Sequence, residues 1–151
     1  MKKLEKLIQA LESYIPQAEK INNNVSNVNV GWHIEHSLLV IISIAQTILN
    51  SDASKYKWKW STKKVIVFLV GSFPRGKANA PEIVMPKNIA NAESLAQQIK
   101  AARNSIQLLK NAGAKQYFTH PIFGMLDRDA TIPFLGIHTN HHLKIIKDIL
   151  A

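Results

Sequence analysis

Two histidines, His138 and His142, fall within the apolar stripe of a predicted helix near the end of the chain, and this pair constrains the fold most strongly. Residues four apart on an α-helix project from one face, about 6 Å apart by the helical rise of about 1.5 Å per residue. Their neighbours on that face are aromatic or aliphatic, so both rings are predicted to face the core. Because burial of unpartnered polar rings is unfavourable, the fold must supply partners for them.

A third histidine, His36, is predicted on the inward side of a long apolar helix much earlier in the chain. Three imidazole nitrogens can bind one divalent cation and leave coordination positions open for water or substrate, which is typical of reactive metal centres. The chain contains no cysteine, which excludes thiolate ligands and disulfides. The spacing predicts a metal site at His36, His138 and His142. The alternative is a buried polar cluster of the same histidines without a metal.

Other residues near these histidines narrow the chemistry. A protease-type zinc motif needs Glu directly after the first His of the pair, but Thr139 follows His138. His33 is three residues from His36, which is a spacing that also permits chelation, and we otherwise expect it at the rim of a pocket. Glu35 is predicted to face solvent or a subunit contact, and His141 to flank the site or lie on the surface.

Length and composition indicate one domain, residues 1–151, with enough apolar content for a core, since hydrophobic residues make up 46% of the chain. No uninterrupted apolar run reaches the ~20 residues of a membrane span. The polar residues Glu5, Gln9 and Glu12 interrupt any signal-like region after the basic start. A cytoplasmic protein without a membrane partner is therefore expected.

The formal charge of +9 raises the question of an anionic partner. Lysines and aromatic residues alternate in the Lys/Trp segment, defined here as Lys55–Lys64, and such a segment can stack on single-stranded bases while its lysines contact phosphates. The alternative is a loop in which Trp58 and Trp60 pack inward while the lysines stay solvated. The sequence contains no recognisable nucleic-acid-binding motif, so nucleic acid is not the expected partner. A basic nucleic-acid-binding module is therefore the third hypothesis, after a metal-dependent enzyme and a metal-free histidine cluster.

Apolar residues recur at helical spacing through most of the chain, which predicts an all-α fold. The predicted helices are Lys2 to about Tyr14, Val30 to about Asn50, Ser61 or Thr62 through Val70, Asn91 to just before Gly113, and Asp127 or Asp129 to about Leu150. The β-branched run of residues 65–70 also permits a buried strand. Two connections are expected, a long loop over residues 71–86 and a second over residues 117–126.

Four segments resemble motifs of the DinB-like proteins and of one branch within them. They are Asn29-Val-Gly-Trp-His-Ile-Glu-His36, Ala80-Pro-Glu-Ile-Val-Met-Pro86, His120-Pro-Ile-Phe-Gly-Met-Leu126 and His138-Thr-Asn-His-His142-Leu. The resemblance spans roughly residues 29–150 in the family's order. It implies a four-helix bundle with long loops, of the bacillithiol-transferase-like type and often dimeric.

In the family that the chain resembles, one histidine of the second helix and an i,i+4 pair of the last helix bind zinc or nickel. Carried over, these are His36, His138 and His142. Members of that family transfer low-molecular-weight thiols or isomerise thiol adducts. The resemblance therefore implies a metal-dependent thiol transferase or hydrolase with a small-molecule substrate, acting as a homodimer.

Three further residues are candidates for supporting roles. His120 is a candidate general base or a donor to a metal ligand; the alternative is that its ring caps the turn at Pro121. Arg75 and Lys77, in the long loop, could attract the carboxylates of a thiol cofactor, or be solvated charges without such a role.

Overall fold

The computed structural model describes residues 1–73, 82–86 and 91–151. Within these ranges the chain is mostly helical, consistent with the all-α prediction, and it also contains a small antiparallel hairpin that was not predicted. The elements are α1 (Lys2–Ser13), α2 (Val30–Leu49), α3 (Thr62–Val70), α4 (Ala92–Asn111), β1 (Tyr117–His120), β2 (Gly124–Asp127) and α5 (Arg128–Leu150). Short 3-10 turns lie at Ile15–Gln17, Ala53–Lys55 and Glu82–Val84.

Four of the helices begin at side-chain caps. Asn29, Ser61, Asn91 and Asp127 each accept a hydrogen bond from a backbone N–H in the first turn of the helix that follows. Such a cap satisfies one of the amide groups that a helix start leaves unpaired. These caps agree with the boundaries predicted from sequence.

Helix α2 lies at the centre of the fold. It packs against α4 and α5, and α1 packs against α4 and α5 in turn. Its apolar residues are buried on more than one side, as expected of a helix that is apolar nearly all round. Fully buried side chains of the core include Leu4, Ile8, Leu11, Ile34, Leu38, Ile41, Ile48, Leu95, Ile99, Ile106 and Leu109.

By length and composition alone, α2 is also apolar enough to cross a membrane, although the polar residues within it leave no uninterrupted apolar run of ~20 residues. Half of it is buried inside the fold, and the core helix of a globular protein passes the same test. The finding is therefore weak support for a membrane span.

Helix α3 lies at the edge of the core and has no buried residue. It ends at Gly71, whose φ of 63° is the left-handed conformation that glycine adopts without strain. The strand considered for residues 65–70 is thus a helix, because caps delimit it at both ends. Its outer side exposes Ile66, Leu69 and Val70, and Leu69 is 82% exposed.

The connection predicted over residues 117–126 contains the hairpin. Phe118 pairs with Leu126 and His120 with Gly124, whose φ is 72°. Phe118 and Leu126 are both buried. The strands were not recognised because each has four residues, which is too few for a clear alternating pattern.

Candidate metal centre

Helices α2 and α5 bring the three predicted ligands together. His36 comes from α2, and His138 and His142 come from successive turns of α5. One ring nitrogen from each can be chosen so that the three lie within 4.8 Å of one another. A shared ion would sit about 2.0–2.1 Å from each nitrogen and so draw them somewhat closer. The arrangement is a group of three histidines that could hold a metal ion.

The orientation of His36 is fixed from two sides. Its Nδ1 lies 2.8 Å from the carbonyl oxygen of Val84, in the short turn Glu82–Val84. Because a carbonyl only accepts, Nδ1 must carry the proton, which leaves the lone pair on Nε2. The indole of Trp32 stacks on the ring, with centroids 4.9 Å apart. A backbone carbonyl that holds the second nitrogen of an imidazole is a common feature of histidine metal ligands.

The pair on α5 is held differently. Nδ1 of His142 lies 3.0 Å from Nδ1 of His33 on α2. Nδ1 of His138 is buried and has no hydrogen-bond partner among the described residues. A buried polar atom without a partner costs about 1–3 kcal/mol. A cation bound at that nitrogen would satisfy it, so the residues present fit a metal.

Burial keeps the candidate ligands in the form that binds metals. Burial lowers the pKa of His36, partly offset by its hydrogen bond to Val84. Burial, and then repulsion from neighbouring histidines, holds the pKa of His138 and that of His142 well below the usual histidine value. All three rings are therefore neutral at pH 7, as imidazole ligands must be.

Two neighbours on α2 differ from their sequence predictions. His33 is only 4% exposed, and it lies inside the cluster rather than at a pocket rim. Glu35 is half-buried and accepts a hydrogen bond of 2.9 Å from Gln98 on α4, so it is tied into the helix packing. The His-x-x-His spacing was the signal for His33, since residues three apart lie on neighbouring parts of one helix face. Half-buried His141 adjoins His142 and the ring of Phe73.

His120 caps the hairpin turn. Its Nδ1 accepts hydrogen bonds from the backbone N–H groups of Ile122 (3.1 Å) and Phe123 (3.3 Å), and its ring stacks on that of Phe123. Burial lowers its pKa to about 4. The capping alternative thus describes the bonds that this ring makes. Its role as a base stays a prediction, and Arg75 and Lys77 lie outside the described residues.

The Lys/Trp segment contradicts the expectation of inward packing. Trp58 is 65% exposed and Trp60 is 63% exposed, with ring centroids 6.3 Å apart. The ammonium group of Lys64 lies 5.8 Å from the centre of the Trp58 ring. The physical reason is that α3, which these residues lead into, lies at the edge of the core and buries none of its own residues, so the indoles before it stay exposed as well.

Comparison of the chain with known protein families, curated proteins and solved structures finds no match. The geometry and chemistry of the three histidines are therefore the basis for inferring a function.

Proposed function

We propose that this protein is a metal-dependent enzyme of the thiol-transferase or hydrolase kind, with Zn²⁺ or Ni²⁺ at His36, His138 and His142. The observation that carries the proposal is the convergence of these three neutral, largely buried rings from two helices. Imidazole nitrogens suit zinc and nickel among the divalent ions. When bound, such an ion lowers the pKa of a coordinated water or thiol, which supplies a nucleophile near neutral pH.

The protein's own residues would orient the ligands and restrict water. The carbonyl of Val84 holds His36, and Trp32 covers one face of its ring. Phe134 and Phe73 lie against His138, with ring centroids 6.2 Å away in each case. This apolar surround favours neutral imidazoles and limits competing hydration.

The helix arrangement agrees with a DinB-like fold, which is part of this proposal. The proposed metal site does not depend on membership of that family. Four long helices, α1, α2, α4 and α5, pack around one core, and the candidate ligands come from the second and the last helix of the described chain. That arrangement is the one expected of a DinB-like four-helix bundle. A homodimer acting in the cytoplasm on a small thiol is part of the same proposal.

Metal analysis of protein purified without a histidine tag tests the site. We expect about one equivalent of bound Zn²⁺ or Ni²⁺ after incubation and desalting. The double variant His138→Ala/His142→Ala should lose it. His141→Ala is the matched control, because it removes an imidazole from the same helix but not one of the converging three. Wild-type protein that retains neither metal would contradict the proposal and favour a non-catalytic bundle with a buried histidine cluster.

Turnover is tested separately with the metal-loaded protein. Transfer of a low-molecular-weight thiol to an electrophile, or hydrolysis of a model ester, should stop on chelation and return when the metal is restored. Full metal occupancy without either activity across a substrate panel would count against an enzyme and leave a binding role.

A second candidate function rests on the exposed indoles of Trp58 and Trp60. Together with the lysines of the Lys/Trp segment they form an aromatic, basic surface of the kind that binds single-stranded nucleic acid. This function would be independent of the histidine site.

A further inference from the structure

The structure contains a buried histidine, His33, that the proposed function does not use as a ligand. Its Nδ1 lies 3.0 Å from Nδ1 of His142, and its Nε2 lies 3.0 Å from Oγ of Ser26. Ser26 precedes α2, His33 lies in the first turns of α2, and His142 lies on α5. The three side chains therefore form one hydrogen-bonded series that ends at a candidate metal ligand.

Proton placement in this series has two possible directions. Between the two Nδ1 atoms only one proton fits, so one ring donates and the other accepts. If His33 donates, neutral His142 carries its proton on Nε2, and that nitrogen cannot bind a cation. If His142 donates, its Nε2 lone pair is available for the ion shared with His36 and His138.

The hydrogen bonds of Ser26 permit the second direction, and metal binding through Nε2 of His142 requires it. Its Oγ already accepts a hydrogen bond of 3.3 Å from the backbone N–H of Val28. A hydroxyl oxygen has two acceptor positions, so the same oxygen can also accept from Nε2–H of His33. A proton on Nε2 of neutral His33 leaves its Nδ1 as the acceptor. His142 is then the donor through Nδ1–H.

We propose that His33, held by Ser26, is a positioning residue that fixes His142 as the Nδ1–H tautomer and thereby keeps the Nε2 lone pair available to a metal ion. The inference rests on the proposed function for its purpose, although the tautomer itself is a property of the metal-free protein. The Val84 carbonyl has the same role at His36, where it accepts the Nδ1–H hydrogen bond. At His142 the acceptor is instead a side chain from the facing helix α2. Outer partners of this kind orient ligands and strengthen metal binding.

The first test is the tautomer of His142 in the metal-free protein, measured by long-range ¹H–¹⁵N correlation NMR of the imidazole nitrogens. In the wild type, Nδ1 of His142 should carry the proton and Nε2 should not. His33→Asn should retain this state, because its amide oxygen can accept near the position of Nδ1. His33→Phe, which has a similar volume but no acceptor, should move His142 towards the Nε2–H form.

The second test is metal affinity, measured by competition with a chelator. His33→Phe should weaken Zn²⁺ or Ni²⁺ binding by roughly 10–100-fold, and His33→Asn should recover most of the loss. Ser26→Ala should lie between wild type and His33→Phe, since it removes only the outer bond. Thr139→Val is the matched control, because it changes a buried polar residue of α5 whose Oγ1 has no hydrogen-bond partner among the described residues.

The outcomes separate this inference from the proposed function. An Nε2–H tautomer in the wild type, or a tautomer unaffected by His33→Phe, overturns the role of His33 even if metal binds. Equal metal affinity in the wild type and His33→Phe overturns it as well. A wild type that binds no metal but shows the Nδ1–H tautomer overturns the proposed function and leaves the assignment of the hydrogen bonds standing. Circular dichroism of each variant checks that it folds. If His33→Phe does not fold, His33→Asn and Ser26→Ala still test the role of His33.

Discussion

At the level of single residues, the candidate site depends on which nitrogen of each ring is already engaged. Nδ1–H of His36 donates a hydrogen bond to the carbonyl of Val84, and Nδ1 of His142 is hydrogen-bonded to Nδ1 of His33. In both rings Nδ1 is therefore engaged by the protein, and Nε2 has no such bond among these contacts. His138 has no such partner for Nδ1 within the described chain. The rings therefore share a location but differ in how firmly they are oriented.

His120 makes a prediction about acid stability. Its pKa is about 4 in the folded protein, against 6.5 for an ordinary histidine, because it is buried. Between these values the unfolded chain binds a proton that the folded protein does not, so the contribution of neutral His120 is complete above pH 6.5 and is lost as pH falls towards 4. The cost of His120→Asn in urea unfolding should consequently be smaller at pH 5 than at pH 7.

The difference in free energy of unfolding between the wild type and His120→Asn reports on His120 alone. The lowered pKa values of the other buried histidines also reduce stability in acid, but they do so in both proteins. Between pH 7 and pH 8 the cost of His120→Asn should stay constant, which serves as the internal control. An equal cost at pH 5 and pH 7 would show that His120 is already protonated in the folded state.

At the level of elements, α2 and α5 build the candidate metal centre, while α3 lies at the edge of the core and the Lys/Trp segment precedes and enters it. Helix α3 buries none of its residues, although its sequence is rich in valine, leucine and isoleucine. Exposed apolar residues in such density are more often part of a contact surface than of an isolated element. The two regions therefore call for separate tests.

Binding of a fluorescent single-stranded oligonucleotide tests the Lys/Trp segment. If the indoles stack on bases, Trp58→Ala/Trp60→Ala should weaken binding by at least about tenfold, since each stacked base contributes about 1–3 kcal/mol. Affinity should also fall steeply with salt, because lysines release counterions from the phosphates. Ile122→Ala, which changes an exposed apolar residue of the hairpin, is the matched control. Binding that is absent at low salt, or unchanged in the double variant, would exclude this surface as a nucleic-acid site.

For the molecule as a whole, a metal at this site would join two helices that are far apart in sequence. His36 precedes His138 and His142 by most of the chain, and the α2–α5 contact between them is part of the central core. An ion that binds only when these helices are packed stabilises the folded state by mass action. Metal binding and global stability are thus linked.

The linkage gives a quantitative expectation. Free Zn²⁺ at a hundred times its dissociation constant should raise the free energy of unfolding by about 2.7 kcal/mol, measured by urea denaturation against a metal-free sample. His138→Ala/His142→Ala should show no such increase, and His141→Ala should show all of it. An increase of equal size in the double variant would place the bound metal elsewhere.

Much of the helical framework was predictable from sequence because helix boundaries and faces depend on residues within a turn or two. Asn29 and Asn91 cap helices where expected, and the i,i+4 spacing of His138 and His142 places them on one inward face. Period and capping are local properties, so they require no knowledge of the partner helix.

Tertiary structure alone decided what surrounds those residues. The contact between His33 and His142, the Val84 carbonyl at His36 and the exposure of Trp58 all depend on how distant segments pack. A helical pattern shows which side of α2 faces inward, but a hydrogen bond to a ring requires the angle and register of the opposing helix or loop. The sequence by itself therefore determined the three candidate ligands, and the packing of α2 against α5 determined that their nitrogens meet and which neighbours orient them.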